Sequence, residues 1–146
     1  ADAERLRTYL FKGGFLWTDD QWGSEEWAVW LQELAKVLDP KEYPMEDVPL
    51  NDPIFSAQFV MTEMPQIPNI QFWRSAHRTS EQGADSAVPH LSAVRDHSGR
   101  IMIVSTHNTD IADAFEREGE DPDYFYKFAP NGYALGVNVL LHALTH

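Results

Sequence analysis

Arg100-Ile101-Met102-Ile103-Val104-Ser105-Thr106-His107-Asn108-Thr109-Asp110 is the stretch on which the reading of this chain turns. Residues 101–104 form an apolar, partly β-branched run that suits a buried strand. Ser98 and Gly99 just before it mark a turn. From Ser105 onward the chain is polar. A strand that ends in His, Asn and Asp sits where an open α/β sheet usually places its ligand crevice. His107, Asn108 and Asp110 are therefore candidate ligand-binding residues.

Outward from this strand, Leu91–Arg95 faces it across Asp96-His97-Ser98-Gly99, which predicts a β-hairpin. Near the start of the chain, Leu6, Tyr9 and Leu10 share one helix face. Gly13-Gly14 then stops that helix, and Phe15–Trp17 reads as a short strand with Asp19 and Asp20 after it. If the strands at 15–17 and 101–106 are parallel neighbours, Asp19, Asp20, His107, Asn108 and Asp110 meet at one sheet edge. Such residues can ligate zinc or manganese, and an Asp can orient a His as a general base. The competing use is structural, since Asp and Asn commonly close turns and cap helices. No HExxH or other specific metal spacing is present.

Ser24 followed by Glu25 and Glu26 predicts a helix start. Trp27, Trp30, Leu31, Leu34 and Leu38 recur on one face, with Trp27 and Trp30 assigned to the core. Six of the nine prolines fall between residues 39 and 72. That region is expected to hold short edge strands at Val48–Leu50 and Phe59–Met61, a helical turn at 53–57 and a strand at Ile70–Trp73. Residues 74–88 read as a long surface loop containing a small basic island, Arg74, His77 and Arg78. The acidic run 116–123 reads as a solvated loop. Tyr133–Leu144 lacks Asp, Glu, Lys and Arg and predicts a buried helix, on which Asn138 and His142 serve as hydrogen-bonded packing residues.

The totals restrict function. At 146 residues the chain fits one domain with a real core. A formal charge of −12 and a pI near 4.7 argue against nucleic acid and anionic membranes as partners. The chain has no cysteine, which excludes disulfides, thiolate metal sites and a Cys nucleophile. No apolar run reaches the roughly 20 residues of a membrane span.

Four blocks carry a family resemblance: Leu-Arg-Thr-Tyr-Leu-Phe-Lys-Gly-Gly-Phe-Leu-Trp-Thr-Asp-Asp (6–20), Asp-Pro-Ile-Phe (52–55), the segment 99–110 and Gly-Val-Asn-Val-Leu-Leu-His-Ala-Leu-Thr-His (136–146). Together they resemble a bacterial domain-of-unknown-function family similar to class I glutamine amidotransferase-like and trehalose-utilisation-type proteins. The resemblance implies an α/β fold, a three-layer flavodoxin-like sandwich with a mostly parallel sheet and one antiparallel hairpin. It also implies that residues 1–146 are a single α/β domain forming the C-terminal part of a longer family domain, whose earlier strands lie before residue 1. Amidotransferases use a Cys nucleophile, so that activity does not carry over.

Two functions are expected from these readings. The first is a non-catalytic binding or assembly module, an accessory subunit or domain packed into a larger complex, with other protein subunits as partners and no cofactor. The alternative is a metal-assisted hydrolase or carbohydrate-processing enzyme that holds a divalent metal among Asp19, Asp20, His107 and Asp110. The resemblance points to a periplasmic or otherwise exported protein, with a cytoplasmic one as the alternative.

Overall fold

The computed structural model describes residues 1–146. In chain order the elements are α1 (Asp2–Phe11), β1 (Leu16–Gln21), α2 (Gly23–Leu34), β2 (Met45–Asp47), a 3-10 turn (Pro53–Ser56), α3 (Ile70–Ala76), a second 3-10 turn (Gly83–Ser86), β3 (His90–Arg95), β4 (Ile101–His107), α4 (Asp113–Glu116) and α5 (Pro122–Thr145). The strands form one sheet in the order β1-β4-β3-β2. β1 pairs with β4 in parallel, matching Leu16 with Ile103 and Trp17 with Val104.

The other two pairings, β3 with β4 and β2 with β3, are antiparallel. The sheet is thus mostly antiparallel, which corrects the expected mostly parallel sheet. The cause is local. β3 and β4 are joined by a tight turn, and a tight turn can only return the chain antiparallel, whereas a parallel pair needs a long crossover. Asp96 builds that turn: its Oδ1 accepts from the Ser98 and Arg100 amides at 2.9 and 3.0 Å. Gly99 supplies the left-handed residue at φ 88°. Arg100 then donates to the Leu10 and Gly14 carbonyls at 2.7 and 3.1 Å, fastening the end of α1 to the hairpin.

Strand residues feed two apolar clusters. Leu91, Ala93 and Val104 join Ile54, Phe55, Ile67, Ile70 and the inner side of α5. Val94, Met102 and Ile103 join Leu10 of α1 with Leu34, Val37 and Leu38 at and beyond the end of α2.

Four expected elements differ. Ile70–Trp73 is helical: Asn69 caps α3 by accepting from the Gln71 amide, and His77 ends it in the left-handed conformation at φ 52°. The edge strand expected at Val48–Leu50 lies just upstream at 45–47, and residues 59–61 form no strand. The last helix begins at Pro122, capped by Asp121, and runs straight through Pro130. Pro130 is exposed, so the carbonyl it leaves without a helical partner lies on the outward side, where the usual cost of about 3 kcal/mol is offset by the packing of Tyr124, Phe128 and Leu135. That helix is also not buried all round, because Leu140 and Leu144 are exposed. Arg74 of the basic island pairs with Asp121 at 3.2 Å, so the island offsets part of the acidic run.

Candidate functional site

The parallel register of β1 on β4 brings the five expected residues to one end of the sheet. β1 follows β4 until Thr18, then bulges before Gln21 meets His107. The bulge puts Asp20 at φ 70° and lets its carboxylate accept from the Trp22 indole N–H at 2.7 Å. Asn108 leaves β4 at φ 58°, a conformation that Asn tolerates better than most residues.

At this end nearly every polar side chain holds a backbone group of the fold. Asp19 accepts from the Ala112 amide at 2.9 Å and from the Thr106 hydroxyl. Asn108 accepts from the Gly23 amide at 2.8 Å and donates to the Val88 carbonyl at 2.8 Å. Thr109 accepts from the Ile67 amide at 2.9 Å. Asp110 accepts from the Asp113 amide at 3.1 Å, and Asp113 in turn accepts from the Ile70 amide at 2.9 Å. Three donors at the start of α2 are likewise taken: Trp22 by Glu26, Gly23 by Asn108 and Ser24 by Asp85, at 2.7–2.8 Å. The anion site that a helix N-terminus can offer is filled from within.

Because Thr109 is fully buried, its substitution by the near-isosteric Val isolates one such bond. Thr109→Val leaves the Ile67 amide without an acceptor and is expected to cost about 1–3 kcal/mol. Urea unfolding should show a lower midpoint at unchanged m-value; an unchanged midpoint would mean that water replaces the hydroxyl.

The carboxylates crowd. Burial pushes the Asp19 carboxyl up to about 6, against the bonds from Thr106 and Ala112. Burial, reinforced by the charges of Asp20 and Asp113, pushes Asp110 up to about 8. Burial also raises Asp20 and Glu81. Near neutral pH the cluster therefore keeps a proton on Asp110. No three His, Asp or Glu side chains are set to hold a metal ion.

His107 is placed differently from its neighbours. Its Nε2 lies 3.2 Å from the Gly23 carbonyl, and burial lowers its pKa. Its ring stacks on Trp27 at 4.3 Å and beside His90 at 5.7 Å. Trp27, expected in the core, is half-buried and forms one wall of a cavity of about 370 Å³ that His90, His107 and Asp85 also line. His90 is held at Nδ1 by Asp47, 3.0 Å away. Counting outward from the hairpin turn, with Arg95 opposite Ile101, brings His90 only to within one residue of His107, because a bulge between Val94 and Arg95 shifts the register by one. Trp27, Asp47, Asp85 and Asp113 carry no such local signal. On α5, Asn138 binds the backbone of residues 58 and 59 as expected, whereas the buried His142 leaves Nδ1 without a hydrogen-bond partner.

With this arrangement in view, the family comparison gives a class: a mixed α/β domain of unknown function. The chain belongs to the DUF4159 family, whose model matches residues 1–144. A comparison with curated proteins gives no match.

Proposed function

We propose that this domain is a non-catalytic binding or assembly module, an accessory subunit or domain packed into a larger complex. The observation that carries the reading is the employment of the polar strand end. Asp19, Asn108, Thr109, Asp110 and Asp113 are each engaged in holding the α2 start, the α4 start or the segment at 67–70. Groups spent in this way organise the fold and are poorly placed to move protons for a substrate. Within the same reading the domain is flavodoxin-like and glutamine amidotransferase-like. The parallel β1–β4 pair and the two apolar clusters to which the strands contribute support that relation. A periplasmic or exported setting belongs to this reading through the family resemblance.

One observation favours the second reading, a metal-assisted hydrolase or carbohydrate-processing enzyme. Asp19, Asp20, Asp110 and Asp113 repel one another, and a divalent cation would relieve that repulsion. Intact mass and metal analysis of the natively purified protein and its complex separate the two. Co-purifying subunits and no stoichiometric metal are expected. One equivalent of zinc, manganese or calcium that disappears in Asp19→Ala would replace the assembly reading with the hydrolase.

A further inference from the structure

We propose that the outward face of α5 is a self-pairing seam, through which two copies of this chain join in an antiparallel α5–α5 contact. The inference rests on the assembly reading and names its partner. An apolar stripe on the outward face comprises Tyr126, Pro130, Tyr133, Val137, Leu140 and Leu144, with the exposed Lys127 and Asn131 beside it. Tyr126, Tyr133, Leu140 and Leu144 are 77, 42, 57 and 81% exposed, a concentration of apolar surface that is unusual in a chain with formal charge −12.

The spacing of the six residues alternates four and three. That is the 3.5-residue period read by a partner helix packing knobs into holes, and it fits neither an extended peptide nor a flat surface. A lipid surface is disfavoured independently, because Lys127 is the one basic residue of this 24-residue helix apart from His142.

Three features select a second copy as the occupant. The spacing is the same read from either end, so an antiparallel copy meets it in register. Tyr126 then faces Leu144, Pro130 faces Leu140 and Tyr133 faces Val137, each larger or stiffer side chain against an aliphatic one. The antiparallel sense also keeps the acidic runs at 116–123 at opposite ends, about 36 Å apart along the helix, several times the screening length of about 8 Å. A parallel pair would set those runs side by side. Helix dipoles favour the same sense.

Phe59 and Val60, 46 and 83% exposed, widen the patch, because Asn138 anchors their loop against α5. Two helices of this length with that flank bury on the order of 1,000 Å², the lower bound of a specific interface. A micromolar dissociation constant is expected.

The test uses the chain of residues 1–146, whose lack of cysteine makes it suited to engineered cross-links. Sedimentation equilibrium should show a monomer–dimer equilibrium, and Leu140→Glu should abolish it while leaving the melting curve unchanged at concentrations well below the dissociation constant, since Leu140 is largely exposed. Under mild oxidation the Tyr126→Cys/Leu144→Cys double variant should form disulfide-linked dimers, and each single variant should not. Cross-linking of Leu144→Cys alone would show a parallel pair and overturn the proposal. So would a dimer indifferent to Leu140→Glu, or a monomer at concentrations about a hundredfold above the micromolar range. A monomer that still purifies in a complex with other subunits would overturn the seam and leave the assembly reading standing; a monomer that purifies alone would overturn both.

Discussion

Asp110→Asn is expected to raise the melting temperature strongly at about pH 8.5 and to leave it unchanged below about pH 4. In the unfolded chain the Asp110 carboxyl titrates near 3.8, and in the fold it titrates near 8 because it is buried beside Asp20 and Asp113. Between those values the folded state holds a proton that the unfolded state has lost, so stability falls as pH rises. The contribution is complete below the unfolded value and gone above the folded one. Each pH unit crossed costs about 1.4 kcal/mol, which sets an upper bound of about 6 kcal/mol for the whole window. Asn keeps an oxygen for the Asp113 amide and carries no ionisable proton. At about 2–4 °C per kcal/mol for a domain of this size, that bound corresponds to a gain of roughly 12–24 °C at high pH. A wild-type melting curve that is flat from about pH 5 to pH 8.5 would show that Asp110 ionises normally and that the crowding described above is relieved in solution.

Asn108→Ala is expected to be the most destabilising single change at the strand end, costing about 4 kcal/mol. Two effects add. The buried Gly23 amide at the start of α2 loses its acceptor and the part-buried Val88 carbonyl loses its donor, each worth about 1–2 kcal/mol. Ala must also adopt φ near 58°, which costs a residue bearing a Cβ roughly 1 kcal/mol. Asn108→Gly removes the second cost alone and should recover about 1 kcal/mol. Urea unfolding of the two variants separates the terms. Equal stabilities would show that the left-handed conformation carries no strain, and a wild-type-like Asn108→Ala would remove Asn108 from the organisation of this end.

What could be read from sequence follows how local its cause is. The β4 strand was legible because Ile101–Val104 offers no surface that a solvated loop could tolerate, and the hairpin because Asp96 and Gly99 make one turn type. The gathering of Asp19, Asp20, His107, Asn108 and Asp110 needed only one added assumption, the parallel pairing of β1 with β4. The sheet's dominant direction was not legible, since it depends on β2, three residues whose pairing is set by β3 rather than by their own pattern. Ile70–Trp73 was misread because a short apolar run has no period of its own; Asn69 decides the matter by capping a helix. Pro130 hid about the first three turns of α5, since a proline ends most helices unless its side faces water. The stacking of Trp27 on His107 joins residues 80 positions apart and left no trace in either neighbourhood.

The β1–β4 pair has a consequence for how the chain reaches this structure. Thr18 and Ser105, partners in that register, are 87 positions apart, whereas β3 and β4 are joined by a handful of residues. Closing the longer loop costs roughly 2 kcal/mol more in chain entropy than closing the hairpin. The hairpin is therefore the cheaper nucleus, and the meeting of the acidic β1 end with β4 belongs to the late, uphill part of folding. Newly made protein thus spends its early life with Asp19 and Asp110 apart and fully hydrated. Their mutual repulsion becomes an obstacle only at the final docking step, and a more acidic medium lowers it.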